Sequence, residues 1–134
     1  MNGSLPIYVA IVDDDDGLCR SVGRLLRTAG IQPVTYASAE ELLADAKRPR
    51  FDCLVLDIQL NGMSGIELNQ RLRAGGSTTP VIFNTAHPDP ELREQALGDG
   101  CAAYLLKTAP GEALLAAIRA AVQPGTGKEN QRSD

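Results

Sequence analysis

Charged residues directly follow three short apolar segments of this sequence. Four aspartates, Asp13 to Asp16, follow the first segment, Asp57 follows a later one, and Lys107 follows another near the end. If these segments are parallel strands, their carboxyl ends meet at one edge of a sheet, where open α/β folds bind their ligands. Carboxylates held close together raise one another's pKa values unless a cation joins them. The spacing therefore predicts a cation site built from residues that are distant in the sequence.

The residue types at this edge favour magnesium and phosphoryl chemistry. Mg²⁺ prefers oxygen ligands, keeps several waters and takes one or two protein carboxylates together with phosphate oxygens, which suits Asp13, Asp14 and Asp57. An aspartate such as Asp57 can also accept a phosphoryl group as an acyl phosphate when cations neutralise the phosphoryl oxygens. Lys107 and the hydroxyl of Thr85 are candidates for those contacts.

Five apolar runs alternate with amphipathic segments along the chain. We predict strands at residues 7–12, 34–36, 52–57, 81–84 and about 102–106, each followed by a helix. Helix starts are indicated by S-x-x-E capping boxes at residues 38–41 and 64–67 and by Asp89-Pro90. The second helix is predicted to include Ala46, with the side chain of Ala46 facing the core. A βα unit repeated five times implies parallel strands with helices on both sheet faces, so the predicted class is α/β.

The length and composition of the chain fit one domain. A chain of 134 residues has the usual size of a domain with a single core, and we assign this domain to residues 1–123. Residues 124–134 offer no large apolar side chain for burial, so we predict a flexible C-terminal tail or a truncated linker there.

Net charge, cysteine spacing and hydropathy argue against several classes of protein. The formal net charge of -4 gives no reason to expect direct binding to nucleic acid or to a membrane. The three cysteines are odd in number and lack CxxC spacing, so we predict that they are small core residues. Neither a targeting signal nor an apolar stretch long enough to cross a bilayer is apparent, and we expect a cytoplasmic location.

The residues at the predicted sheet edge resemble the receiver domain of two-component response regulators. The resemblance extends over nearly the whole of residues 7–122. Five features agree in order and context: Asp13-Asp14, Asp57, Thr85-Ala86, Tyr104 and Lys107. Membership of this family implies a flavodoxin-like (βα)5 fold, with a parallel five-stranded sheet in the order 2-1-3-4-5.

The resemblance also implies where the phosphoryl group and its metal would be bound. Asp57 would be the phosphoacceptor. The Mg²⁺ ion would be held by the carboxylates of Asp13, Asp14 and Asp57 and by the backbone carbonyl of Gln59.

By the same resemblance, residues after the fourth and fifth strands would respond to phosphorylation. Thr85, the backbone of Ala86 and the ammonium of Lys107 would contact the phosphoryl group. Thr85 and Tyr104 would form the switch that reports its presence.

A domain of this kind would act as a signalling switch and not as an enzyme. It would accept its phosphoryl group from a sensor histidine kinase or a phosphotransfer protein, promoting its own phosphorylation and dephosphorylation. The surface of the fourth helix, fifth strand and fifth helix would then control an output partner or domain, and the same surface is a candidate for homodimerisation, although the sequence leaves the oligomeric state open. The sequence leaves open the cognate kinase, the regulated process and whether an effector domain is attached.

Two positions depart from the family pattern. Lys107 is followed by Thr108, where the family usually has a proline joined through a cis bond. Because a cis bond to a residue other than proline costs about 2.5 to 4 kcal/mol, we predict a trans bond and a rearranged loop, which leaves the exact reach of Lys107 open. The loop after Asp57 reads Leu60-Asn61 where Met-Pro is typical, which affects loop rigidity more than chemistry.

Other interpretations of these residues remain open. The Thr108 departure gives some weight to a receiver-like interaction module that works without phosphorylation. A magnesium-dependent phosphatase is disfavoured because such sites usually need a second acid where this chain has Gln59. Asp15 and Asp16 are expected only to stabilise the start of the first helix. His87, the only histidine, is either a plain surface residue or a group that tunes water access near Thr85.

Overall fold

Five strands alternate with five helices in the computed structural model, which describes residues 6–122. The elements are β1 (Ile7–Val12), α1 (Asp16–Thr28), β2 (Ile31–Tyr36), α2 (Ala39–Ala44), β3 (Cys53–Leu56), α3 (Gly65–Ala74), β4 (Val81–Thr85), α4 (Pro90–Gly98), β5 (Ala103–Leu106) and α5 (Gly111–Val122). The predicted βα alternation is therefore confirmed. The tail predicted at residues 124–134 lies outside the described residues, as does the end of the domain assigned to 1–123.

The strands form one parallel sheet in the order β2-β1-β3-β4-β5, which confirms the predicted topology. Val12 at the end of β1 pairs with Leu56 at the end of β3, so the residues that follow these two strands leave the sheet side by side. Thr85 at the end of β4 pairs in the same way with Leu106 of β5. The register thus places the charged residues after β1, β3 and β5 at one edge.

Helices cover both faces of this sheet, which explains why its strands are continuous apolar runs and do not alternate with polar residues. Odd-numbered positions of β1, such as Ile11, pack with α1 and α5. Even-numbered positions, such as Val12, pack with α2, α3 and α4. Of the three free cysteines, Cys19 and Cys53 are buried and Cys101 is half-buried. Over residues 6–122, no helix combines the length and apolar character that crossing a bilayer requires.

The predicted capping serines begin their helices, but the glutamates of the two capping boxes bond elsewhere. Ser38 and Ser64 each accept a hydrogen bond from the amide three residues later, at 3.1 Å in both cases. In a capping box the Glu41 carboxylate would accept a hydrogen bond from the Ser38 amide. It accepts one instead from the Ala37 amide, at 3.0 Å. The Glu67 carboxylate instead lies 3.7 Å from Arg71 on the exposed face of α3. The serine of each capping box therefore decides where α2 and α3 begin.

The second helix is shorter than predicted, and the expectation that Ala46 faces the core is wrong. α2 ends at Ala44, and Ala46 is exposed beyond it. The Asp45 carboxylate accepts hydrogen bonds from the Lys47 amide at 3.1 Å and from the Tyr36 hydroxyl at 2.7 Å. These bonds form a local turn that competes with the next helical turn.

Candidate functional site

Lys107 joins two buried carboxylates at the carboxyl edge of the sheet. Its Nζ atom lies 2.8 Å from Asp13 Oδ2 and 2.9 Å from Asp57 Oδ2. The side chain of Lys107 is 16% exposed, and those of the two aspartates are 2% and 6% exposed. The structure therefore brings together the anions that follow β1 and β3 and the cation that follows β5, with little access to solvent.

Asp14 completes a group of three carboxylates at this edge. One oxygen of each of Asp13, Asp14 and Asp57 lies within 4.8 Å of the others. Asp14 is exposed whereas the other two are buried, so the group is open to solvent on one side. A partial shell of carboxylate oxygens with room for water is compatible with the coordination that Mg²⁺ prefers.

The nearby thiol does not alter this oxygen chemistry. The Cys19 sulfur donates a hydrogen bond to the Asp13 backbone carbonyl at 3.3 Å. Burial, together with the negative charge of Asp13, raises the pKa of the Cys19 thiol to about 11. In the metal-free site the thiol therefore keeps its proton near neutral pH and its hydrogen bond to the Asp13 carbonyl.

Hydrogen bonds fix both buried carboxylates from two sides. The second oxygen of Asp13 accepts a hydrogen bond from the Asp15 amide at 2.9 Å. The second oxygen of Asp57 accepts one from the Gln59 amide at 3.1 Å. Each carboxylate is thus held by Lys107 through one oxygen and by its own loop through the other. The site is preorganised by contacts that the sheet register and the two loops impose together.

Burial and ion pairing have opposing effects on the pKa values of Asp13 and Lys107. Burial raises the pKa of Asp13, and the hydrogen bond from Lys107 opposes that rise only in part. Burial alone would lower the pKa of Lys107, but its hydrogen bonds to Asp13 and Asp57 outweigh that effect and raise it. Lys107 therefore stays an ammonium ion near neutral pH, and its contact with Asp13 favours the anionic form of that carboxyl group.

Thr85 and the two residues after it line the next part of the edge. Thr85 is buried at the end of β4, and its Oγ1 atom accepts a hydrogen bond from the His87 amide at 3.4 Å. Its carbonyl oxygen accepts a hydrogen bond from the Lys107 amide at 2.8 Å, which extends the β4–β5 pairing to the site. Ala86 and the side chain of His87 are exposed.

Tyr104 lies on β5 with its ring packed against the core beneath α4. Its hydroxyl oxygen is buried and has no hydrogen-bond partner among the described residues. The Arg93 guanidinium carbon lies 5.8 Å from the centroid of the ring. Arg93 was not predicted, since a contact between a helix and a strand on separate segments leaves no periodic signal in the sequence.

The two remaining aspartates of the acidic run serve the first helix, as predicted. Asp15 is the N-cap of α1, and its side chain accepts a hydrogen bond from the Leu18 amide at 3.1 Å. Asp16 occupies the first turn of the same helix, where a negative charge interacts favourably with the helix dipole.

The bond between Lys107 and Thr108 is trans, as predicted. The Ala109 amide donates a hydrogen bond to the Leu106 carbonyl at 2.9 Å, which closes a turn directly after β5. Lys107 nevertheless reaches both Asp13 and Asp57. The missing proline therefore leaves the ammonium within contact distance of the site.

Gly65 was missed by sequence reasoning, although it sits directly behind the phosphoacceptor candidate. A Cβ atom placed on Gly65 would overlap the carbonyl oxygen of Asp57 and lie 2.9 Å from its carbonyl carbon. The Gly65 amide donates a hydrogen bond to the Ile58 carbonyl at 3.0 Å. In the sequence, a glycine directly after a capping serine is only a weak indication of a close backbone contact. The need for glycine at position 65 becomes clear only from the packing of α3 against the end of β3.

We expect Gly65→Ala to destabilise the fold by about 1 to 3 kcal/mol, because the added methyl group meets backbone atoms that cannot rotate away. Gly98→Ala is the matched control, since a Cβ atom there meets no atom within 4 Å and alanine is favoured over glycine in a helix by roughly 0.5 to 1 kcal/mol. Urea denaturation of both variants measures the difference. Equal stabilities would show that α3 does not press on the Asp57 backbone.

Comparison with known proteins agrees with this geometry. A family model described as "Response regulator receiver domain" matches residues 9–119. The response regulator protein TodT of Pseudomonas putida is 32% identical over 115 residues, which cover 86% of this chain and 51% of TodT. The transcriptional regulatory protein FixJ of Azorhizobium caulinodans is 34% identical over 134 residues, which cover 100% of this chain and 62% of FixJ.

A solved structure shares the fold. The receiver domain of DrrB, described as activated by BeF3, superposes with a TM-score of 0.80 at 28% identity, covering 89% of this chain and 99% of that domain. The chain spans about half to two thirds of the length of the curated relatives it matches, 51% of TodT and 62% of FixJ.

Proposed function

This chain belongs to the response regulator receiver domain family, and we propose that Asp57 accepts a phosphoryl group from a phosphohistidine of a sensor kinase or phosphotransfer protein. A carboxylate oxygen of Asp57 attacks phosphorus, and the phosphorus–nitrogen bond of the donor breaks. The electron pair of that bond leaves with the imidazole, and the product on Asp57 is an acyl phosphate. The observation that carries this proposal is the position of Asp57, held by Lys107 at 2.9 Å and grouped with two further carboxylates.

Lys107 and the residues after β4 would stabilise the transferred group. In the unphosphorylated site the Lys107 ammonium bonds Asp13 and Asp57, so it is already in place to contact phosphoryl oxygens on Asp57. The Thr85 hydroxyl at the end of β4 and the Ala86 amide directly after it would contact the remaining oxygens. Fixed donors of this kind stabilise developing charge without reorganising during the reaction.

The carboxylates of Asp13, Asp14 and Asp57 and the backbone carbonyl of Gln59 would hold Mg²⁺. The bound ion supplies charge neutralisation at the phosphoryl oxygens. The fit rests on the oxygen-only character of the group and on its one exposed side. Because Asp13 is buried and has a raised pKa, a cation at this position favours its anionic form.

Thr85 and Tyr104 would convert phosphorylation into a change of surface. A phosphate adds a charge of roughly -1.5 to -2, which draws the Thr85 hydroxyl toward Asp57 and away from the His87 amide. The Tyr104 hydroxyl is buried without a hydrogen-bond partner among residues 6–122, so no such bond holds the ring where it is. Two conformations separated by a few kcal/mol are sufficient for a switch.

The output surface would be formed by α4, β5 and α5. Leu97 on α4 and Leu106 on β5 are large apolar residues that remain 44% and 36% exposed, which favours a partner or a second copy of the chain binding there. FixJ is by name a transcriptional regulatory protein, so control of transcription is a candidate output for the protein to which this domain contributes. Receiver domains are signalling switches, and in this chain we assign autophosphorylation and dephosphorylation to the same site.

Binding of beryllofluoride, a mimic of the acyl phosphate, tests this proposal. We expect Mg²⁺ and beryllofluoride together to shift the amide NMR signals of Thr85 and Tyr104 in a saturable way, because the mimic bonds Asp57 and occupies the phosphoryl position. Beryllofluoride without Mg²⁺ is the control and should leave both signals in place. No response to the combination would favour the second candidate, an interaction module that works without phosphorylation, which is the alternative that the Thr108 departure from the family pattern leaves open.

A further inference from the structure

The loop between β3 and α3 contains Gln59 and forms its own hydrogen bonds at its base. At its base the Gly65 amide bonds the Ile58 carbonyl at 3.0 Å, and the Gln59 amide bonds Asp57 Oδ1 at 3.1 Å. Leu60 and Met63 pack against the core on the face covered by α2, α3 and α4, whereas Gln59 and Leu60 also border an open cavity of about 640 Å³ toward α3 and α4.

A carboxylate from a different helix holds the far side of this loop. The Met63 amide donates a hydrogen bond to Glu40 Oε2 at 2.9 Å, linking residues 23 positions apart. Among the described residues, no other hydrogen bond joins residues 60–63 to another helix or strand. Glu40 lies in the first turn of α2, directly after the capped start of that helix, so its backbone position is well defined.

The approach of Glu40 depends on a glycine in the loop. A Cβ atom on Gly62 would lie 2.7 Å from Glu40 Oε2. Gly62 also has a φ angle of +80°, which other residues rarely adopt. The glycine therefore allows both the turn of the loop and the close contact with the carboxylate. The Met63 hydrogen bond keeps the pKa of Glu40 below its ordinary value, so the carboxylate is ionised at neutral pH.

We propose that Glu40 is a positioning residue for the magnesium site, holding the β3–α3 loop so that the Gln59 carbonyl faces Asp13 and Asp57. This inference rests on the proposed function, in which that carbonyl is a metal ligand. Residues that orient metal ligands commonly change metal affinity by about 10- to 100-fold when they are removed.

The test compares Glu40→Ala, Glu40→Gln and the control Glu112→Ala. Glu112 is an exposed glutamate in the first turn of α5, so its removal deletes the same charge at the same place in a helix. Two measurements that require no phosphorylation are made: hydrogen exchange at the Met63 amide, and a Mg²⁺ titration followed by the amide NMR signals of Asp13, Asp14 and Asp57.

In Glu40→Ala we expect Met63 amide exchange to accelerate at least about tenfold, because its hydrogen bond is lost. The Mg²⁺ concentration at half-saturation should rise about tenfold, the low end for a supporting residue at an exposed site. Glu40→Gln keeps an acceptor oxygen and should restore most of both values, and Glu112→Ala should match the wild type.

Three results would overturn the inference. Met63 exchange within twofold of the wild type in Glu40→Ala would show that the hydrogen bond does not hold the loop. Faster exchange with unchanged Mg²⁺ affinity would show that the loop does not position a ligand. Equal effects of Glu112→Ala and Glu40→Ala would assign the change to net charge. If the amide NMR signals of the wild type do not respond to Mg²⁺, the proposed function itself is contradicted. Hydrogen exchange at the Met63 amide still tests separately whether the hydrogen bond to Glu40 holds the loop.

Discussion

Asp57→Asn should reduce labelling by radioactive acetyl phosphate to background, a loss of at least about 10³-fold comparable to removal of a catalytic nucleophile. The neutral amide of asparagine has no anionic oxygen to attack phosphorus. Its shape is close to that of aspartate, and Lys107 retains its 2.8 Å contact with Asp13, so the variant is expected to fold. Labelling is measured over time with and without Mg²⁺, and urea denaturation checks the fold.

The matched control for this variant is Asp16→Asn. Asp16 is exposed in the first turn of α1, and its replacement changes the net charge by the same amount close to the same edge. Its labelling rate should stay within about twofold of the wild type, since surface substitutions away from a site have small effects. Stoichiometric labelling that persists in Asp57→Asn would refute the assignment of the acceptor and require another nucleophile.

Lys107→Ala should destabilise the protein by about 3 kcal/mol at pH 8 without Mg²⁺, because removing one partner of a buried ion pair leaves uncompensated charge. Two carboxylates are left in this case, with side chains only 2% and 6% exposed. The estimate is at the low end of the usual range because the Lys107 side chain is 16% exposed, so that water can enter where it was. Urea denaturation of the variant and the wild type gives the difference.

The destabilisation caused by Lys107→Ala should become smaller as the pH falls. The pKa of Asp13 is already raised by burial, and the hydrogen bond from Lys107 is the main opposing effect. Without it the pKa rises further, so the folded state holds its proton more tightly than the unfolded state does. For a raised carboxyl pKa, the associated stability is present at low pH and is lost as the pH increases through the folded pKa. The variant should therefore lie closer to the wild type at pH 5 than at pH 8.

Magnesium should partly replace the missing ammonium in this variant. A ligand that binds only the folded state stabilises it by mass action, and we expect saturating Mg²⁺ to stabilise Lys107→Ala more than it stabilises the wild type. Lys47→Ala is the control, because Lys47 is exposed and its removal should change stability by less than about 0.5 kcal/mol. If the destabilisation in Lys107→Ala is the same at pH 5 and pH 8 and is unaffected by Mg²⁺, charge compensation is not the role of Lys107.

The sequence by itself determined the elements of this protein and the edge at which its chemistry lies. Apolar runs and amphipathic periods are local properties, so the five βα units could be predicted from them, as could the helix starts at Ser38, Ser64 and Asp89. Parallel strands place their carboxyl ends together, and this rule alone was enough to expect Asp13, Asp57 and Lys107 at one edge.

Only the tertiary structure decided which atoms meet at that edge. The bond from Lys107 to both aspartates depends on the register of three strands, and the contact of Glu40 with Met63 depends on how α2 packs beside the β3–α3 loop. The need for glycine at position 65 arises from the close approach of α3 to the Asp57 backbone. These contacts join residues that are distant in the chain, and no period or capping motif records such a distance, because it is set by packing in three dimensions.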